Sequence, residues 1–472
     1  MPTTETLTVT FDGINDVPRL AGSSDVEWNG DTIDLYSLWY GGPKDKFVFN
    51  ASLTGTNWKL KLLRPAGEDN MAVIKDIDAG AGREIRYLEL GYNSDVELIS
   101  TRARYVFGWD GDKHEVTLGN QQSGSTYSIN LYALENVVTT GNAWVKYINN
   151  GGEGTGAGDT IVIGSGGVGA VRTWNRDDKV TADGWAGYIH TDGGDDEVVI
   201  GASGAGYVRT DEGNDKVTTG TGWVETISTG EGNDVVNLGT GGGAFVRLWD
   251  GNDTIRVSET AADTGVQIRG GKGSDTISFQ NFTKGVTFSL DLDAAYQNVT
   301  NPGVNDGTTG SGLFAESWIE NIIGSNKGDK LTGDAGVNKL IGKGGNDRLT
   351  GGDGNDKLDG GNGGDRLFGG NGKDNLIGGK GNDVLEGGKG NDTLRGNAGA
   401  DVFVFGAGSG TDKVKDFADG VDALRISGHT GGFASLTISD QGGDLKIAHD
   451  GGVFLLLGEA GTTLTAADFD FV

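Results

Sequence analysis

The chain has 472 residues, with 38 basic against 67 acidic side chains and a net charge of −29 at pH 7, a balance that excludes nucleic acid and anionic membrane as partners and favours a solvated or cation-binding surface. It has no cysteine, which removes disulfides and thiolate metal sites as sources of stability. With 88 glycines and only 35% hydrophobic residues, it loses much backbone entropy on ordering for little apolar burial, so a strict repeat has to carry the fold.

No apolar run approaches the roughly 18 to 20 residues of a membrane span. The start, "MPTTETLTVTFDG", lacks the basic and apolar regions of a cleaved signal peptide, so the expectation is that export is not directed from there.

Pro2, Pro18, Pro43 and Pro65 lie in the first 65 residues, and glycine thickens only after about Gly80. This shift sets an expected N-terminal β domain over residues 1–84, with strands in "KDKFVFNASL" and "NWKLKLL". Over 85–280 a loose repeat follows Asp159, Asp178, Asp196, Asp215, Asp234, Asp253 and Asp275, separated by 19, 18, 19, 19, 19 and 22 residues. A fixed period of this size predicts a right-handed parallel β-solenoid with about 19 residues per coil. After each aspartate comes an alternating strand, such as "DKVTT" or "DVVNL", with Val217 and Thr219 or Val236 and Leu238 inward.

A second strand of each coil reads "WVK" at 144, "AVR" at 170, "YIH" at 188, "YVR" at 207, "WVE" at 223 and "FVR" at 245. Alternation points Val145, Val171, Ile189, Val208, Val224 and Val246 inward. Trp144, Tyr188, Tyr207, Trp223 and Phe245 then face outward beside Lys146, Arg172, His190, Arg209 and Arg247. Such a ladder suits three roles: stacking sugar rings and pairing with their carboxylates, docking a protein surface, or stabilising the solenoid across strands.

Residues 281–323 break the rhythm and read as a β-rich insert or spacer. A tighter array then begins at Asp329, Asn338, Asp347, Asp356, Asp365, Asp374, Asp383, Asp392 and Asp401, every step being 9 residues. In this GGxGxDxUx phrase one aliphatic residue points inward from a short strand and the other positions make a turn. Two phrases complete a coil of 18 residues, so alternate aspartates stack at about 4.8 Å. Carboxylates at that spacing repel by about 1 to 3 kcal/mol per pair at intermediate dielectric. Glycine backbones turn carbonyl oxygens toward them, and the resulting all-oxygen cage suits calcium.

Residues 324–401 resemble the repeats-in-toxin (RTX) family, whose hemolysin-type repeats form a calcium-binding β-roll. "WIENIIGSNKGDKLTG" is similar to the family's lead-in, "ADVFVF" with "GTDKVKDFADGVDALRISG" to the region after the roll, and "ADFDFV" to its uncleaved secretion signal. The resemblance implies secretion by type I machinery, folding outside the cell, and a capping and secretion region over 402–472. By position it implies calcium ligands at Asp329, Asp347, Asp356, Asp365, Asp374, Asp383, Asp392 and Asp401, with turn carbonyls of Gly351, Asp353, Gly360, Asn362, Gly369 and Gly378. Asn338 departs from the pattern and weakens the sites it shares. In the looser solenoid, "TDEGND", "TGEGND", "LWDGND" and "GGKGSD" keep the later half of the turn, whereas "TWNRDD" has Arg176 in place of glycine. Calcium is therefore also expected in a single row at Asp196, Asp215, Asp234 and Asp253, continuing to Asp275.

The chain has no GxSxG and no HExxH, and its four histidines, His114, His190, His429 and His449, suggest neither a triad nor a zinc cluster. Spacing alone singles out no pair of carboxylates for a glycosidase, lyase or epimerase. The expectation is an all-β, secreted, calcium-stabilised structural or adhesive protein of the cell surface or extracellular matrix, able to assemble end to end through open strand edges. The alternative is an extracellular polysaccharide-binding or polysaccharide-modifying protein using the aromatic and basic face.

Overall fold

The structure is a computed structural model; it describes residues 131–151, 158–261, 266–290 and 318–472, together with the strands that lie outside these ranges. It is almost entirely β, with no α-helix among the described residues. The chain divides into two compact units, 1–235 with 239–243, and 236–238 with 244–472, so the division falls inside the expected 85–280 solenoid.

In the first unit, successive coils stack as two parallel ladders. One runs through Lys113–Leu118, Glu135–Thr140, Thr160–Ile163, Lys179–Ala182, Glu197–Ile200 and Lys216–Thr219. Its strands alternate strictly, and the register brings Val116, Val138, Ile161, Val180, Val198 and Val217 into one row, each 0% exposed. Full burial of such a side chain is worth about 1.5 to 3 kcal/mol, which offsets the glycine entropy coil by coil. The other ladder runs through Arg102–Gly108, Thr126–Leu131, Val145–Asn150, Val168–Arg172, Ala186–His190, Ala205–Glu212 and Val224–Glu231. Parallel pairing lies on both sides of residue 84, because Trp58–Leu62 pairs with Glu84–Leu90 and Ala72–Ile74 with Ser94–Leu98. The loops of residues 1–84 lie outside the described residues.

In the second unit the coils tighten to 18 residues. Leu340, Leu358, Leu376 and Leu394 form one buried row; Leu331, Leu349, Leu367 and Leu385 form the facing one. Toward the C-terminus, phenylalanine takes over from leucine at Phe403. An antiparallel meander of Thr437–Gln441, Asp444–His449 and Gly452–Leu456 pairs with Gly410–Val414, and Phe454 stacks on Phe405 at 3.9 Å. Most of the 281–323 insert lies outside the described residues. Of its described strands, Thr287–Ser289 and Asn321–Ile323 join the two ladders of this unit in parallel, and Phe314–Ala315 pairs in parallel with Gln267–Gly273.

Candidate metal centre

The turn Gly360–Asp365 shows how the phrase works. Gly361 and Gly363 have φ of 103° and 139°, angles that L side chains rarely adopt, and they swing the backbone round the corner. The turn ends by presenting Asp365 to the coil edge, where it is 1% exposed. Each such aspartate accepts, through Oδ1, the backbone N–H of the aspartate one coil earlier. Asp347 donates to Asp365 at 2.7 Å, Asp365 to Asp383 at 2.8 Å and Asp383 to Asp401 at 2.9 Å. On the second edge Asp356 donates to Asp374 and Asp374 to Asp392, both at 2.8 Å.

The second oxygen is different. Oδ2 of Asp347, Asp356, Asp365, Asp374, Asp383, Asp392 and Asp401 is buried and accepts no hydrogen bond. In Asp347, Asp356, Asp365 and Asp374 it lies with a carbonyl of the next coil around a space that a Cβ would fill. A Cβ on Gly351 would lie 2.3 Å from Asp356 Oδ2 and 2.5 Å from the Gly369 carbonyl oxygen. On Gly360 the distances would be 2.4 Å to Asp365 Oδ2 and 2.6 Å to the Gly378 carbonyl. The glycine thus leaves an oxygen-lined cradle, the donor chemistry that a hard divalent cation takes. Burial pushes the carboxyls up, to about 8 for Asp347, about 7 for Asp374, and about 6 for Asp356, Asp365, Asp383 and Asp401, while the backbone N–H bonds pull the other way. A buried anion with an unsatisfied oxygen and carbonyls opposite is a site that a hard divalent cation completes.

The remaining expected ligands fall into place less uniformly. Carbonyls of Gly360, Gly369 and Gly378 face the carboxylates of Asp347, Asp356 and Asp365, whereas the Gly351 carbonyl faces the Asn338 amide oxygen; Asp353 and Asn362 are exposed on the outer turn, and the Asn362 carbonyl accepts the Gly345 N–H at 2.8 Å. Asp329 is served from within the chain, by Ser325 N–H at 2.6 Å and Ser325 Oγ at 2.9 Å. Asn338 accepts the Asp334 N–H and donates to Glu320 and Asp334, which closes its place to an ion. Two ladder members were missed by the nine-residue count. Asp412 and Asp422 accept the N–H of Asp392 and Asp401, each at 2.9 Å, after steps of 20 and 21 residues.

In the looser solenoid the Oδ1 ladder persists: Asp178 donates to Asp196 at 2.7 Å, and Asp196 to Asp215 and Asp215 to Asp234 at 2.8 Å. The cradle does not. Thr191, Thr210, Thr229 and Leu248, all 0% exposed, stand where the roll has its first glycine, so a side chain occupies the cradle at the expected calcium row of Asp196, Asp215, Asp234 and Asp253, although Oδ2 of Asp196 and Asp215 accepts no hydrogen bond, as in the roll. Asp275 keeps the glycine, Gly270. Burial raises Asp196 to about 9 and Asp178 and Asp215 to about 7; a threonine hydroxyl beside each carboxyl opposes the shift without being aligned as a hydrogen bond to Oδ2.

The aromatic face also departs from expectation. Val145, Val171, Ile189, Val208, Val224 and Val246 are all 0% exposed, and Tyr188 stacks on Tyr207 with centroids 5.5 Å apart. Their row, however, runs Tyr147, Ala170, Tyr188, Tyr207, Thr226, without Trp144 or Trp223. Two consecutive residues face outward between Val168 and Val171, which leaves two inward positions three apart in every such strand. Matching "WVK" and "WVE" to "AVR" selects the wrong one. Trp144, Trp185 and Trp223 instead share a row in which Gly167 and Gly204 occupy the alternate coils, and they are 38%, 41% and 41% exposed. Trp185 was not among the expected residues. The cations have local partners: Arg209 pairs with Asp211 at 2.6 Å and Arg172 with Asp192 at 3.2 Å, and Arg247 lies over the Phe245 ring at 4.8 Å.

Coil stacking and the C-terminal meander also assemble two histidine groups that no spacing along the chain announces. His190 Nε2 lies 2.6 Å from Asp211 and 3.1 Å from Asp192, the three forming a potential metal-ligand cluster whose carboxylates the arginines already hold. His429 Nδ1 lies 3.0 Å from Asp450 and its Nε2 2.6 Å from Ser435 Oγ. That hydroxyl donates to the Gly432 carbonyl at 2.8 Å and the Asp450 N–H donates to Nδ1, which leaves Nε2 as the donor to Oγ rather than a base for it, and exposed Asp450 does not enclose the imidazole as a triad carboxylate does.

Among the described residues no helix is long and apolar enough to cross a membrane. No curated protein matches the sequence. Among solved structures, the extracellular lipase LipA of Serratia marcescens aligns at 18% identity and a TM-score of 0.17, over 53% of this chain and 42% of the lipase. The AlgE6R3 subunit of the Azotobacter vinelandii mannuronan C5-epimerase aligns at 25% identity and a TM-score of 0.16, over 31% of this chain and 80% of that subunit. The chain thus spans under half the length of the lipase. The family model for the RTX calcium-binding nonapeptide repeat (4 copies) matches 319–349, 332–367, 341–376, 350–385 and 377–412. Residues 319–412, the segment that stacks the glycine-cradled aspartates, are RTX calcium-binding nonapeptide repeats.

Proposed function

We propose that the chain is a secreted, calcium-stabilised structural or adhesive protein of the cell surface or extracellular matrix, and not an enzyme. One observation carries this reading: two rows of buried carboxylate oxygens accept no hydrogen bond, and those of Asp347, Asp356, Asp365 and Asp374 share a glycine-lined cradle with a carbonyl of the next coil. Asp347, Asp365, Asp383 and Asp401 would hold calcium along one edge; Asp356, Asp374 and Asp392 would hold it along the other. The ion supplies the charge neutralisation that a glycine-rich interior lacks, and coupling of binding to folding keeps the roll unfolded where calcium is scarce and folds it where calcium is millimolar. The resemblance of the end segment supports export through type I machinery. Exhaustive chelation tests the reading: the β signal and melting temperature should fall and return with calcium. Full retention of both in chelator overturns it.

A second reading, an extracellular polysaccharide-binding or polysaccharide-modifying protein, is favoured by the exposed row of Trp144, Trp185 and Trp223. Tryptophans on alternate coils recur at about 9.6 Å, twice the strand spacing, and present flat faces of the kind sugar rings stack upon. A screen against acidic and neutral glycans, repeated with Trp185→Ala, separates the two. Binding lost in the variant supports a glycan receptor, product formation overturns the non-enzyme reading, and silence supports structure alone.

A further inference from the structure

We propose that the first residue of each turn decides whether its aspartate takes calcium: glycine admits the ion, and threonine replaces it. The proposal rests on the calcium reading of the roll and extends it to the rest of the chain.

Glycine at this position is not needed for backbone angle. Gly360 lacks the positive φ that its neighbour Gly361 has at 103°, so an L residue suits the backbone there. What a side chain would do is fill the cradle, since its Cβ would stand 2.4 Å from Asp365 Oδ2 and 2.6 Å from the Gly378 carbonyl. In the first unit that substitution is present. Thr173, Thr191, Thr210 and Thr229 stand five residues before Asp178, Asp196, Asp215 and Asp234, all four 0% exposed.

Two of the hydroxyls make one of the contacts the ion would make, the one to the carbonyl. Thr173 Oγ1 donates to the Thr191 carbonyl at 3.3 Å, and Thr210 Oγ1 to the Thr229 carbonyl at 3.3 Å. Those carbonyls belong to the next coil, as the Gly378 carbonyl does for Asp365. Each hydroxyl also lies beside the carboxyl of its own turn. Leu248 fills the same space before Asp253 with hydrocarbon, whereas Gly270 leaves it open before Asp275. The first unit is thus a calcium-independent solenoid built on the same turn, and Asp275 belongs with the calcium-binding class.

Calcium bound per full-length chain, measured by equilibrium dialysis, tests this. Thr210→Gly should gain a site and Gly360→Thr should lose one, while Thr210→Val, which removes the hydroxyl but keeps the bulk, should gain none. A wild-type chain that binds no calcium sinks the underlying calcium reading. A wild-type chain that binds calcium, with no gain in Thr210→Gly, sinks only the threonine rule. Hydrogen exchange on the wild-type chain needs no variant to fold: in chelator, amides of Lys179–Ala182 and Lys216–Thr219 should stay protected while those of Lys357–Asn362 and Asn375–Lys380 lose protection. Equal loss in both sets overturns the proposal.

Discussion

A buried carboxyl whose folded pKa lies above its unfolded value of about 3.9 favours the fold in its protonated form. In the calcium-free roll, Asp356, Asp365 and Asp383 sit at about 6, Asp374 at about 7 and Asp347 at about 8. Their contribution is fully present below about pH 4 and is lost as pH rises through 6 to 8. The chelated protein should therefore show more β structure by circular dichroism at pH 5 than at pH 8. Calcium affinity should run the opposite way, because protons compete for the same oxygens. A chelated chain indifferent to pH over this range would count against the buried-carboxylate picture. Asp374→Asn isolates one charge: Asn keeps an acceptor for the Asp356 N–H, bonded at 2.8 Å in the wild type, but cannot neutralise an ion. It should melt higher than wild type in chelator, relieving a repulsion of about 1 to 3 kcal/mol, and gain less from calcium in differential scanning calorimetry. Which carboxylates meet this description was legible in the roll from the repeat alone. It was not legible in the looser solenoid, because Thr191 and Gly360 differ only by a side chain whose neighbour is on another coil.

Each strand of the roll contributes one leucine, and the rows continue without interruption from Leu331 to Leu385 and from Leu340 to Leu394. Leu367, packed between Leu349 and Leu385 in its row, has no spare contacts to relax into. Leu367→Ala should cost about 2 to 5 kcal/mol in the calcium-loaded state, read by urea denaturation. Phe454 closes the end of this core against Phe405, and Phe454→Ala should cost about 3 to 5 kcal/mol and expose the last coil to exchange. A loss below about 1 kcal/mol in either would mean that the core is not shared between coils. Strand identity and inward residues were readable here because period-two alternation is strict. The second strand of the looser coils resisted the same reading: Gly169 and Ala170 both face outward, and alternation cannot choose between the registers of Val145 and Ile148.

At the scale of the molecule, stability in a solenoid is a sum over neighbouring coils, and open ladder ends pair with other chains unless covered. The meander of Thr437–Leu456 occupies the C-terminal end of one ladder. Head-to-tail assembly, if this protein uses it, then needs that meander displaced or the other ladder engaged. Electron microscopy in calcium and then in chelator should show fibres or layers that disperse; monodisperse monomers in both conditions would remove self-assembly from the proposed role.

The sequence by itself determined the coil length, the inward-facing rows of the aspartate-led strands and the acidic edges, because each follows from a local period and from the charge of one residue type. The tertiary structure decided which aspartates have room for a cation, which aromatic side chains share a row, and which histidines meet carboxylates. These depend on atoms contributed by different coils, about 18 to 20 residues apart, and a contact between coils is set by register and by the volume of a single side chain rather than by any pattern along the chain.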